Sequence, residues 1–489
     1  MLVSVIDNFT VGRHRYEPRP AARTLDAFMA VTTVPYSLPP LDPPSPPPPV
    51  VAPRPPAPVS LVPGGAIVPV SATLAANEAL ARRRQAGKPV LPMAFGEAGL
   101  PVPPILRDAL GAVTGGNDYG PVAGRPGLRT AAAGYWTRRG LPTAADAVVS
   151  GPGSKPLLFG LLLALGADVA MPEPSWVSYA AQTAMVGARA HFVPAPPGEG
   201  GVCDPAGLAR AVCRAKAAGR RIGSVIVTLP DNPTGQLARP STVRGLAEVA
   251  AEHDLVIISD EIYRDLVYDT APPVTSPAVV APERTVVTTA LSKSLALGGW
   301  RIGVARMPNG RLGWVLRDRL LGVGSEIWSA PAGPIQEAAA LAFSEPPEIT
   351  ERVRRSRRLH AAVCCAVAAT FAAAGVDVPA PRAAFYTYPD FAPWREHLAR
   401  RCGVATGADL ARHLLDAYGM GVLPASAFGE PDSALRLRVA TGLLYGETDS
   451  ERERALAAPD PLTLPWIAAS LDRLAEIMAD LAPSGLGYP

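Results

Sequence analysis

From Ser71 onward, short apolar runs alternate with longer stretches whose apolar positions recur every three or four residues. The runs 147–150, 169–171, 190–193, 224–229, 255–259 and 285–291 have the length and β-branched content of strands. The stretches 155–165, 176–186, 205–218 and 240–253 have helical spacing. Alternation at this length predicts an α/β fold with a mainly parallel sheet covered on both faces. Ligands of such sheets sit beyond the carboxyl ends of the strands. Upstream, 71–85 reads as a helix capped by Ser71, 91–97 as a short strand into a glycine turn, and 103–113 as a second helix. A glycine-rich loop, 119–129, runs into a helix over 128–139. Beyond Pro331 the pattern changes to long helices at 335–343 and 348–374, strands at 385–388 and 435–439, and a closing helix at 465–481. This predicts a second, smaller α/β domain. No internal repeat is visible.

Residues 1–70 break the pattern. Fifteen of the 56 prolines lie between Pro35 and Pro69, and Pro46 to Pro49 are consecutive. Proline fixes φ and removes a donor, so an extended or disordered tail is expected there. A ligand for a proline-recognising groove is the alternative. The rest of a 489-residue chain that is 48% hydrophobic can bury a large core. The net charge of +3 is spread along the chain, with no basic block beyond short pairs and triplets such as Arg82-Arg83-Arg84. No nucleic-acid partner is expected from that. The longest apolar run, 156–165, is far short of the roughly 20 residues that span a bilayer. Residues 1–19 carry no secretory signature, so no membrane partner is expected. Five cysteines without a framework indicate a reduced, cytoplasmic protein, and six scattered histidines indicate no metal.

The chemistry concentrates after the strand run 285–291, in Ser292-Lys293-Ser294-Leu295-Ala296-Leu297-Gly298-Gly299-Trp300-Arg301. A lysine amine can form a Schiff base with an aldehyde, and a guanidinium can hold a phosphate. Pyridoxal phosphate carries both groups. The chain has only four lysines, Lys88, Lys155, Lys216 and Lys293, against abundant arginine. Lys293 therefore suits a task that guanidinium, which never loses its proton, cannot perform. Other strand ends add to it. Gly151-Pro152-Gly153-Ser154-Lys155 is a glycine turn opening an apolar helix, where backbone N–H groups can take a phosphate. Asn232-Pro233-Thr234-Gly235 offers an amide to a ring oxygen. Ser259-Asp260-Glu261-Ile262-Tyr263 offers Asp260 to a pyridine nitrogen and Tyr263 to the ring oxygen. At about 3 Å and an effective dielectric of about 20, the attraction of Asp260 for a pyridinium is at most roughly 5 kcal/mol. That keeps the nitrogen protonated near neutrality and the ring an electron sink. Arg436, among apolar residues of the strand 435–439, needs an anionic partner. A substrate carboxylate or an ion pair within the protein would serve, and Arg438 lies close by. Each feature alone is an ordinary turn or cap. Asn232, Asp260, Lys293 and Arg301 following one another at intervals of 28, 33 and 8 residues are not.

This ordered set resembles the class I/II aminotransferases, pyridoxal-phosphate enzymes of fold type I, over about residues 71–485. The resemblance implies a large cofactor domain built on a mainly parallel, seven-stranded sheet over 119–330. It also implies a smaller α/β domain over 331–489, joined by the segment 71–118. Lys293 matches the Schiff-base lysine and Arg301 the phosphate arginine. Gly153, Ser154 and Lys155 match the phosphate loop, and Asp260, Tyr263 and Asn232 the residues around the ring. Trp176 matches the aromatic stacked on the ring, Arg436 the carboxylate arginine, and Gly96 a backbone contact near the substrate carboxylate. Tyr119 matches a tyrosine that reaches the phosphate of a neighbouring subunit, which implies a homodimer with shared sites. The implied reaction moves an amino group between an L-amino acid and a 2-oxo acid. Decarboxylation, elimination, cyclisation or oxidation on the same constellation is the alternative. Lys155 and the segment Trp176-Val177-Ser178-Tyr179 also resemble a bacterial aspartate aminotransferase subgroup, which points to aspartate or glutamate as one substrate. Lys155 as a mere border of the phosphate loop is the competing expectation. Two features depart from the family. Ala290 stands where many relatives carry a hydroxyl, and 446–463 looks like an insertion before the last helix.

Overall fold

The structure, a computed structural model, describes residues 70–483, all within one compact unit. The tail expected over 1–70 lies, Val70 apart, outside the described residues.

Seven strands form the central sheet: β1 (Val148–Gly151), β2 (Asp168–Glu173), β3 (Ala190–Pro194), β4 (Ile222–Thr228), β5 (Val256–Asp260), β6 (Thr285–Ala290) and β7 (Gly303–Arg306). Their order is β1-β7-β6-β5-β4-β2-β3. β7 pairs antiparallel with β1 and β6, and all other pairings are parallel. Six strands therefore share one direction. The strands β1, β4, β5, β6 and β7 are buried at every position. That is why they read as continuous apolar runs rather than as alternating ones. Alternate residues serve opposite layers. Val225, Val227 and Ile257 share a core with Leu208, Val243 and Leu246 of two helices, Pro205–Ala217 and Pro240–Glu252. Ile226, Ile258 and Val286 share another with Leu157 and Leu161 of the helix Ser154–Leu165.

The strand β7 and the helix Arg311–Ile327 are not anticipated by the sequence pattern. β7 has four residues and directly follows the lysine stretch, so no turn signal sets it apart.

In the C-terminal part, Leu423–Pro424, Leu437–Ala440 and Tyr386–Thr387 make a three-stranded antiparallel sheet. The expected strands 385–388 and 435–439 are thus shorter or shifted, and Arg436 joins only by an isolated bridge to Asp390. The strand expected over 91–97 reduces to Leu91–Pro92, paired parallel with Met420–Gly421. Leu91, Met93 and Leu100 share a core with Val363 and Phe371 of the long helix Pro347–Ala373, with Leu437, and with Leu474 of the helix Pro465–Leu481. The stretch 446–463 folds as a helix, Asp449–Ala457, started by a Thr448–Glu451 capping box, and Leu456 enters the same core. Among the described residues no helix is long and apolar enough to cross a membrane.

Ile258 lies at 0% exposure in the middle of the sheet. Ile258→Ala should lower unfolding free energy by about 2–5 kcal/mol. Denaturant titration of the two proteins checks this, and equal midpoints would contradict the packing described.

Candidate active site

Register builds the site. In the β4–β5–β6 pairing, Thr228 lies opposite Asp260 and Asp260 opposite Thr288, so three polar residues form a row at the carboxyl edge. The Asp260 carboxylate accepts hydrogen bonds from Thr288 Oγ1 at 3.2 Å and from the Tyr179 hydroxyl at 2.9 Å. Tyr179 also meets Thr228 Oγ1 at 2.9 Å. Asp260 is 3% exposed and has no ion-pair partner among the described residues. Burial lifts its carboxyl to about 6, against the hydrogen bonds of Tyr179 and Thr288, which hold it down.

Beyond this row lies a cavity of about 530 Å³. The strand ends deliver its residues: Ser154 and Lys155 after β1, Trp176 after β2, Asn232 after β4, Asp260 and Tyr263 at β5, Lys293 and Arg301 after β6. Gly96 comes from the N-terminal segment, and its carbonyl accepts a hydrogen bond from Lys293 Nζ. Gly153 caps the helix Ser154–Leu165 at φ +98°. A Cβ there would lie 2.3 Å from Arg301 Nη2, so the glycine lets the guanidinium approach the helix start. Arg301 itself sits in the left-handed region at φ +50°. Its Nη1 donates to the Gly298 carbonyl at 2.8 Å and its Nη2 to the Pro152 carbonyl at 3.3 Å. A non-glycine residue held there costs of order 1–3 kcal/mol, strain that tends to mark functional positions.

Two expected residues lie elsewhere. Arg436 is not in this cavity. It pairs with Asp390 at 2.9 Å and Glu430 at 2.7 Å on a separate surface depression. Arg438 lines the cavity instead, at 1% exposure. It has no ion-pair partner among the described residues. Its Nη1 donates to Asn232 Oδ1 at 3.5 Å and its Nη2 to the Ala94 carbonyl. Residues two apart on a strand share a face, so the sequence Arg436-Leu437-Arg438 cannot choose between them. Two carboxylates neutralise Arg436, and Arg438 is left for a ligand. Tyr119 is 83% exposed and absent from the cavity of its own chain.

Sequence reasoning also missed Tyr179, Thr228, Thr288 and Tyr386. The Tyr386 hydroxyl is 2.8 Å from that of Tyr263, which Asn232 Nδ2 reaches at 3.4 Å. Strand pairing, loop contacts and the packing of the helix Val177–Met185 that carries Tyr179 bring these together, and no linear spacing encodes that.

The cavity's charge is unbalanced. Lys155, Lys293, Arg301 and Arg438 line it against two carboxylates, Glu97 and Asp260. None of the four cations has an ion-pair partner among the described residues. Burial, and then the charge of Arg438, pull the Lys293 amine from its ordinary 10.5 down to about 8. Burial, and then Arg301, lower Lys155, whose Nζ sits 5.0 Å from the centre of the Trp176 ring. Such a lining calls for a ligand with several negative charges. The buried, cation-free Asp260 calls for a positive group at the opposite end. Pyridoxal phosphate, with a phosphate and a protonatable ring nitrogen, fits both demands.

Comparison with known proteins agrees with this chemistry. Residues 93–456 match the family described as Aminotransferase class I and II. The aspartate aminotransferase of Geobacillus stearothermophilus is 32% identical over 393 residues, covering 78% of this chain and 95% of that protein. A probable aspartate/prephenate aminotransferase of Thermus aquaticus is 30% identical, covering 76% and 92%. The solved structure of the aspartate aminotransferase from Thermus thermophilus with maleate superposes with a TM-score of 0.70 at 27% identity, covering 84% of this chain and 97% of that one. The chain belongs to the class I and II aminotransferase family and is a pyridoxal 5'-phosphate-dependent aminotransferase of fold type I.

Proposed function

We propose that this enzyme takes a dicarboxylic amino acid, aspartate or glutamate, as one of its substrates. The observation that carries the reading is the set of four unpaired cations around one cavity. Arg301 and the helix start at Ser154 suit the cofactor phosphate, Arg438 suits the substrate α-carboxylate, and Lys155 is left for a side-chain carboxylate. The aspartate aminotransferases among its relatives support the same assignment, and so does the Thermus thermophilus neighbour, solved with the dicarboxylate maleate.

When bound, pyridoxal phosphate supplies an aldehyde for an amine and a ring that takes up an electron pair. The residues do the rest. Asp260, fixed by Tyr179 and Thr288, holds the proton on the ring nitrogen. Tyr263 and Asn232 donate to the ring oxygen, and burial followed by the neighbouring Tyr386 keeps the Tyr263 phenol protonated. Trp176, which lines the same cavity, would flank the ring. The Lys293 amine, lowered to about 8, would serve as the group that takes and returns the substrate's α-proton.

Three further assignments belong to this reading. A homodimer with shared sites is supported by Tyr119, a large exposed tyrosine with no place in its own cavity. A division into a cofactor domain, 119–330, and a smaller domain, 331–489 with 71–118, is supported by the core that Leu91 and Met93 share with the C-terminal helices. A cytoplasmic location fits five free thiols.

Steady-state kinetics with two donors tests the substrate assignment. Loss of a charge-assisted hydrogen bond worth about 1.5–3 kcal/mol corresponds to a change of roughly 10- to 100-fold. Arg438→Gln should raise KM by that factor for aspartate and for alanine alike, and Arg436→Gln should leave both within about threefold. Lys155→Met should penalise aspartate alone. Equal losses for both donors in Lys155→Met would overturn the dicarboxylic reading.

A pH profile tests the lysine. In the cofactor-free protein the Lys293 amine is charged below about 8 and neutral above it. Only the neutral form attacks an aldehyde. The rate of pyridoxal capture should therefore rise with pH through about 8 and level off. A rise continuing to the ordinary lysine range would contradict the buried, cation-flanked amine.

A further inference from the structure

A second cavity, of about 260 Å³, lies where β7 ends and the helix Arg311–Ile327 begins. It shares no lining residue with the active site. Arg306, the last residue of β7, lines it at 2% exposure. Its Nε donates to Thr143 Oγ1 at 2.9 Å. Its Nη2 donates to Asn309 Oδ1 at 3.2 Å and to the Pro142 carbonyl at 3.4 Å, and its Nη1 to the Met307 carbonyl at 3.4 Å. Every acceptor is neutral, two contacts are long, and one of the five guanidinium N–H groups has none. Among the described residues Arg306 has no ion-pair partner. Glu261, whose field does reach it, is committed to Arg264, Ser259 and Ser276. A buried cation without a counter-ion is rare, because desolvation goes uncompensated.

The walls continue the theme. Arg317 lines the cavity, its Nε donating to the Asp146 carbonyl at 2.8 Å. Its carboxylate partner, Asp318, is a loose and exposed 3.7 Å away. The one carboxylate in the lining is that of Asp146, which is exposed. Gly310 begins the helix at φ +79° and no side chain caps its first turn. Gly313 admits the Pro308 carbonyl, which a Cβ would meet at 1.9 Å, so the chain folds back over the helix start. Trp314 stands beside it, 50% exposed.

We propose that this cavity binds a small aromatic carboxylate, its anion held by Arg306 and Arg317 and its ring laid against Trp314. The volume, near the lower bound of about 300 Å³ for small-molecule sites, suits one or two fused rings. Arg317, whose Nη groups make no hydrogen bond among the described residues, can pair a carboxylate through parallel hydrogen bonds, Arg306 can add its one free N–H, and an indole face accepts an aromatic ring.

Titration calorimetry of the holoenzyme with indole-3-carboxylate tests this. One site per chain is expected, weakened at least about tenfold by Arg317→Gln, as loss of a charge-assisted contact implies, and roughly 2- to 10-fold by Trp314→Ala, as loss of an aromatic pair implies. Both positions are partly open to solvent, unlike the buried Arg306, so these variants should fold, and thermal unfolding verifies that. The uncharged indole-3-carboxamide should bind at least about tenfold more weakly, and Arg438→Gln should bind as wild type does. Absence of binding, binding indifferent to Trp314→Ala and Arg317→Gln, or binding abolished by Arg438→Gln would each overturn the proposal. The last would put the anion in the active site.

Discussion

Unpaired positive charge around one cavity is the constraint on which this structure turns. Each of Lys155, Lys293, Arg301 and Arg438 could lower its desolvation penalty by pairing with a carboxylate, and the chain has many to offer. The fold withholds them. It delivers Lys155, Lys293 and Arg301 from the segments that follow β1 and β6, where a helix start adds further positive potential, and Arg438 from the strand Leu437–Ala440 of the C-terminal sheet. It commits nearby acids elsewhere, Glu261 to Arg264 and Glu430 to Arg436. On the proposed assignment, the cofactor's phosphate and the substrate's carboxylates would complete the electrostatics that the protein leaves open. Asp260 is the mirror image, a buried carboxylate held by hydroxyl and backbone donors, with no ion-pair partner among the described residues.

The depressed Lys293 amine follows from the same imbalance. Burial disfavours its charge, and Arg438 adds repulsion. A lysine that must be both nucleophile and proton carrier benefits from holding its proton loosely near neutrality. On the proposed assignment, the charge pattern that would hold the ligands also tunes the group that would react. Arg438 would link the two tasks, and it reaches the loop after β4 through Asn232 Oδ1.

The sequence discloses much of this because the fold puts chemistry at strand ends, and strand ends are visible as breaks in apolar runs. Asn232, Asp260, Lys293 and Arg301 are legible for that reason, as are the buried strands β4, β5 and β6. The choice between Arg436 and Arg438 is not legible, since both point to one face and only the position of Asp390 and Glu430 decides. Thr288 escapes because its meeting with Asp260 depends on strand register, and Tyr179 because it reaches Asp260 only when the helix Val177–Met185 packs on the sheet; both are long-range properties. β7 escapes because four residues with no flanking turn carry too little pattern. Tyr386 gains its place only when the C-terminal sheet closes against the loop bearing Tyr263.

The central claim is that Lys293 moves the proton in a cavity whose other residues bind and orient. Single-turnover absorbance of the Lys293→Ala holoenzyme mixed with aspartate tests it most directly. The account predicts that the variant still binds the cofactor and the amino acid, but forms the 2-oxo acid at a rate lowered at least about 10⁴-fold, the upper range for general acid–base catalysis. Added methylamine should restore part of that rate, in proportion to its neutral fraction. A variant that transfers the amino group at a rate near wild type, or one that binds normally and gains nothing from any added amine, would contradict it.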